Sequence, residues 1–73
     1  MSATTSTEVK SYLANARAYI KAAHSADDSR ERARCAQEAM LAAGNALQNS
    51  KPGSYANRAA EKLADDAQTM MGR

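Results

Sequence analysis

The chain has one cysteine, one proline, one histidine and no tryptophan or phenylalanine in 73 residues. Each scarcity excludes something. A single Cys35 rules out an intramolecular disulfide, and with His24 as the lone imidazole the usual Cys/His zinc spacings cannot be written. Asp27-Asp28 and Asp65-Asp66 are adjacent pairs on helical stretches, where neighbouring side chains diverge by about 100°, so neither pair chelates a metal unaided. No metal site and no cofactor is expected.

The start, MSATTSTEVK, has neither the cationic nor the apolar region of a secretory signal, and no apolar run approaches the roughly 20 residues that span a bilayer. A chain in the cytoplasm, without a membrane partner, is the expectation. Catalysis has little to draw on. Only Cys35 and His24 suggest a nucleophile and base, and they fall on different helices with no glycine-rich or oxyanion-type turn nearby, so the chain is read as not an enzyme. Cys35 is better used as a small packing residue and His24 as a cation near a helix C-terminus.

What remains is helical. Thr5-Ser-Thr-Glu8 has the form of a capping box, leading into Val9, Leu13, Ala16, Ile20 and Ala23 on one stripe. Ser25-Ala-Asp-Asp28 offers a second cap. Ser50-Lys-Pro-Gly53 breaks the chain again, because proline disfavours helix at Lys51 and glycine accepts a positive φ, and Ser54 caps the third helix. Helices are expected at about 6–24, 26–49 and 54–71 in a single helical domain, with residues 1–4 a flexible tail. Strand signals are missing. The fold class is all-α, an alanine-rich antiparallel three-helix bundle.

The middle helix is unusual in having little bulk to bury. Ala33, Ala36, Met40, Ala43 and Leu47 form a core stripe, and Cys35, Ala39, Ala42 and Ala46 widen it sideways. So wide a face of small residues suits close approach by helices on two sides. The large core candidates are Val9, Leu13, Ile20, Met40, Leu47, Leu63, Met70 and Met71, with Tyr12, Tyr19 and Tyr55 contributing in part. Against an ordering entropy of about 1–2 kcal/mol per residue this leaves an isolated monomer little margin. A homo-oligomer is therefore expected, a dimer first, with Ala39, Ala42 and Ala46 as the self-association surface.

Charge adds two candidate surfaces. Ten Lys and Arg against eight Asp and Glu leave a formal charge of +2, too mild by itself to imply nucleic acid. Lys10, Arg17, Lys21 and His24, however, share a narrow arc of helix 1 that carries no acid. A basic stripe of this kind suits a phosphate group or an acidic protein surface. On helix 2, Leu41 lies opposite the core stripe among Arg30, Arg34 and Gln37, a large apolar group on a polar face and the natural centre of a partner-binding patch. The neighbouring acids Asp27, Asp28, Glu31 and Glu38 stand at pairing distances from the helix 2 arginines, so a salt-bridged face is expected there.

The segment Glu38-Ala-Met-Leu-Ala-Ala-Gly-Asn-Ala-Leu47 resembles the helical-hairpin domain of phage proteins that sequester cyclic-nucleotide immune signals. The resemblance covers about ten residues, places Ala42 where a bulky aromatic is typical, and is succeeded here by a complete third helix. It implies a small, oligomeric, phage-type binding protein with a nucleotide ligand possible, and no ligand-binding residue of the family falls within it. The expected function is a non-enzymatic protein acting stoichiometrically on another protein, as a phage or mobile-element inhibitor of a host defence system would. A cyclic-nucleotide sponge is the alternative, and nucleic-acid binding through the helix 1 stripe the weakest.

Overall fold

In a computed structural model, the backbone is described over residues 2–71 and the side chains over residues 7–71. Three helices, α1 (Ser2–Ser25), α2 (Ser29–Asn49) and α3 (Tyr55–Met71), run up, down and up. Among the described residues there is no strand. The central helix is α2, which packs extensively against both neighbours, whereas α1 meets α3 over a much smaller area.

Two helix starts differ from the sequence expectation. The backbone of α1 is helical from Ser2, so the expected tail is corrected at residues 2–4 and the expected start near residue 6 moves back, while residue 1 lies outside the described residues. A cap is worth only about 1 kcal/mol, and nothing in Ser2-Ala-Thr-Thr5 breaks a helix that tertiary packing already holds. The side chain of Thr5, and with it the proposed capping box, lies outside the described residues. At the other end α1 overruns its expected limit by one residue.

The second helix starts at Ser29 rather than Ala26. Ala26 is drawn into the end of α1, its amide donating to the Ala23 carbonyl at 3.3 Å. Asp28 takes an extended backbone (φ −94°, ψ 131°) as the cap of α2 without a side-chain capping bond. Its carbonyl accepts from the Arg32 amide at 2.9 Å. The Arg32 guanidinium then reaches back to the Ala26 carbonyl at 3.1 Å, placing a cation at the negative end of α1. That bond, rather than the expected pairing with Asp27 or Asp28, is how Arg32 ties the first turn. Among the described residues, none of the ion pairs that the α2 spacing allows is closed.

The core is almost entirely alanine. Among the described residues Val9 and Leu13 are its only large buried side chains, and Ala16, Ala23, Ala36, Ala39, Ala42, Ala43, Ala46, Ala60 and Ala67 are buried with them. Val9 and Leu13 pack with Ala46 and Ala60, flanked by Tyr12, Leu47, Ala56 and Leu63. One layer further along, Ala16 meets Ala42 and Ala43, with Leu63 and Ala64 against them. These layers set the parallel register of α1 and α3.

Ile20, Met40, Leu47, Leu63 and Met70 are only half-buried, and Ala33 and Met71 are exposed, so the expected large core is thinner than the stripes imply. The molecule exposes 5183 Å². A compact monomer of 7.8 kDa is expected to expose roughly 4,400 Å². The excess fits a bundle 42 Å long and narrow in cross-section, with apolar surface left at its margins.

Ala39, Ala42 and Ala46, expected to mediate self-association, are buried inside the chain's own bundle at 0%, 9% and 0% exposure. The reading of a two-sided small-residue face is right in kind, but both sides are taken by α1 and α3. A dimer cannot use these three residues without opening the monomer.

Gly44 lies on the same helix without a packing role. A Cβ built there meets nothing within 4 Å, so the glycine serves no close approach in the monomer. Gly44→Ala is expected to raise unfolding free energy by about 0.5–1 kcal/mol, the helical cost of glycine. Gly53 has a positive φ of 83°, and Gly53→Ala is expected to destabilise by about 1 kcal/mol or more. Urea titrations monitored at 222 nm measure both.

Candidate binding groove at the α2–α3 turn

The turn that joins α2 to α3 begins where α2 ends. Ser50 leaves the helix with an extended backbone, its amide donating to the Leu47 carbonyl. Its hydroxyl donates to the same carbonyl at 3.3 Å. Lys51-Pro-Gly-Ser54 then closes with the Ser54 amide donating to the Lys51 carbonyl at 3.0 Å. Proline second and a positive-φ glycine third are the requirements of a type II turn.

Asn57, in the first turn of α3, fastens this corner. Its amide donates to the Ser54 hydroxyl at 3.2 Å, the capping bond expected of Ser54. Its side-chain nitrogen donates to the Ser50 hydroxyl at 3.1 Å. Its side-chain oxygen accepts from the Gly53 amide at 3.4 Å. One amide side chain thus links the end of α2, the turn and the start of α3.

This corner forms one wall of an open groove of about 820 Å³. Because α1 and α3 run parallel, the α2–α3 turn lies beside the N-terminal half of α1. Val9 and Leu13 from α1 lie at its base, only 3% and 5% exposed, and half-buried Ala56 from α3 lines it beside them. Lys10 and Arg17 line it from α1, Lys51 from the turn, and Tyr55 from the first residue of α3, with Asn49, Ser50 and Ser54 supplying the uncharged polar groups. Among the described residues no carboxylate lines it. Tyr55 is 82% exposed, an aromatic ring with almost no cover in the free chain.

The basic stripe is therefore divided. Lys10 and Arg17 face the groove, while Lys21 and His24 lie further along α1, exposed and outside its lining. Lys51 and Tyr55 were not singled out from sequence as partners of the stripe. The signal was present in the topology, since an up-down-up bundle returns the second turn to the end where Lys10 lies.

The second surface stands apart. Leu41 is 59% exposed, on the face of α2 opposite the buried alanines. Arg30, Arg34 and Gln37 are exposed beside it. Of these, Arg34 lines a smaller hollow of about 340 Å³ shared with Tyr19, Glu31, Cys35 and Glu38. Its charges are mixed. Cys35 there is half-buried and in no disulfide. Among the described residues no three His, Cys, Asp or Glu side chains gather to hold a metal, and no helix is long and apolar enough to cross a membrane.

The Asn57 bonds are expected to be coupled to Ser50. Asn57→Ala should cost about 1–2 kcal/mol, given about 0.5–1.5 per hydrogen bond and partial exposure. Ser50→Ala should cost less, and the double variant less than the sum, because the two share one bond. Additive losses in a chemical-denaturation cycle would show that the corner is not held this way.

Comparison of the chain with protein-family models, with curated proteins and with solved structures finds no match in any of the three.

Proposed function

We propose that this is a non-enzymatic binding protein that acts stoichiometrically on a partner protein, and that the groove at the α2–α3 turn is where it holds that partner. The observation that carries the reading is the groove's composition: Lys10, Arg17 and Lys51 around the exposed ring of Tyr55, with no carboxylate among the described lining residues. One-signed charge in a concave surface steers an oppositely charged partner and rejects a like-charged one. Covering the Tyr55 ring, 82% exposed in the free chain, supplies affinity on desolvation.

The groove takes precedence over the Leu41 face because it is concave and of one sign. In the same reading the protein is an inhibitor or adaptor, as a phage or mobile element would use against a host defence system. Occupying the partner's recognition segment is then its mode of action. A homo-oligomer belongs to this proposal only through side chains the bundle leaves uncovered, such as Leu41.

A second reading has its own observation in favour. Tyr55 stands uncovered beside cations, an arrangement that suits stacking on a base with phosphate held nearby. A cyclic nucleotide at 100 times its dissociation constant would stabilise the chain by about 2.7 kcal/mol. The open, mostly apolar lining favours a protein segment over this small polar ligand.

Photo-crosslinking from position 55, with position 41 as the comparison, tests the assignment in lysate of the source cells. The expected outcome is a one-to-one protein adduct from position 55 that disappears in a Lys10→Glu/Arg17→Glu background of unchanged melting temperature. An adduct from position 41 alone would move the site to the α2 face. A thermal shift with cyclic nucleotides, without protein adducts, would promote the second reading.

A further inference from the structure

We infer that the occupant of the groove is an acidic amphipathic helix of the partner, which docks along α1 as a fourth helix of the bundle. The inference rests on the binding role proposed above and names the chemistry of what is bound. Its first support is charge: Lys10 and Arg17 on one wall and Lys51 on the other, with no acid among the described lining residues, ask for carboxylates.

The second support is spacing. Lys10 and Arg17 are seven residues apart, which is two turns and about 10.5 Å along the axis of α1. A helix lying alongside matches that interval with acids at i and i+7, so both pairs form on one side. Val9 and Leu13 beneath are only 3% and 5% exposed, so the apolar surface beside the cations is the exposed Tyr55 ring, half-buried Ala56 and the methylene stems of Lys10 and Arg17. Apolar residues at i and i+3 or i+4 of the incoming helix face it.

The third support is the backbone that the groove offers. Its walls are helix and a closed turn, so it has no sheet edge onto which an extended peptide could add. Recognition of a polyproline helix relies on a lane of aromatic rings, and Tyr55 is the single aromatic here. Helix-in-groove is the mode left. The small α1–α3 contact leaves that flank of the bundle open, and Tyr55, 82% exposed, is placed to close over the incoming helix.

The test uses three labelled synthetic peptides of equal charge and composition, each with one proline. The first carries Glu at i and i+7 with leucines on the adjacent face and its proline at the terminus. The second is scrambled, and the third is ordered like the first except that the terminal proline and a central alanine trade places. Fluorescence anisotropy against the full chain reads affinity, and circular dichroism reads induced helix. The ordered peptide is expected to bind saturably at one-to-one with a gain in helicity, and the other two at least tenfold more weakly.

Lys10→Glu/Arg17→Glu is expected to lose at least tenfold for the ordered peptide. It should recover affinity for a version with Lys in place of Glu, a swap that a merely unfolded variant could not show. Leu41→Glu is expected to change nothing. Equal binding of the ordered and central-proline peptides overturns the helical occupant, and no saturable binding of the ordered peptide overturns the inference altogether. In either case a charge-sensitive crosslink at position 55 would leave the broader binding role standing, so the two failures are distinguishable.

Discussion

Close approach of α1 and α3 to the alanine face of α2 is the constraint on which the rest of the structure depends. Nine alanines among the eleven described residues that are buried and hydrophobic let backbones come near each other, and the gain is many short contacts rather than burial of bulky groups. Little hydrophobic area is then available per residue. The larger side chains, displaced to the margins, end half-covered, and the molecule keeps a long, narrow shape with more surface than its mass requires.

That same constraint shapes the groove. Both neighbours hug α2 while meeting each other only lightly, so the flank between α1 and α3 stays open where a larger core would have filled it. Val9 and Leu13 serve two roles there. They are the largest members of the core and also line the groove. Folding already covers them, so they fix the base of the groove, and its open surface comes from Tyr55 and the cations.

The opposite wall owes its position to hydrogen bonds. Lys51 and Tyr55 sit in a turn and at a helix start, where a chain of this size has little packing to hold them. The Asn57 side chain, bonded to Ser50 and Gly53, with its amide on Ser54, fixes the exit from α2 relative to the entry to α3. A mobile corner would lose ordering entropy on binding, whereas a fastened one has lost it on folding. The other turn is held by a different device, the Arg32 side chain on the Ala26 carbonyl.

Much of this was legible in the residues. The three helices arise from apolar periodicity, the second break from Pro52-Gly53 and the third helix from Ser54, since these depend on backbone preferences within a few residues. The Lys10 and Arg17 arc and the exposure of Leu41 were legible for the same reason: a helix converts spacing into direction. What covers the alanines of α2, whether a second copy or the chain's own α1 and α3, was decided only by tertiary packing, because a small-residue face accepts either. The meeting of Lys51 and Tyr55 with Lys10 and Arg17 was likewise decided there. A turn residue has no periodic face to read, and its neighbours are set by how the helices return upon one another.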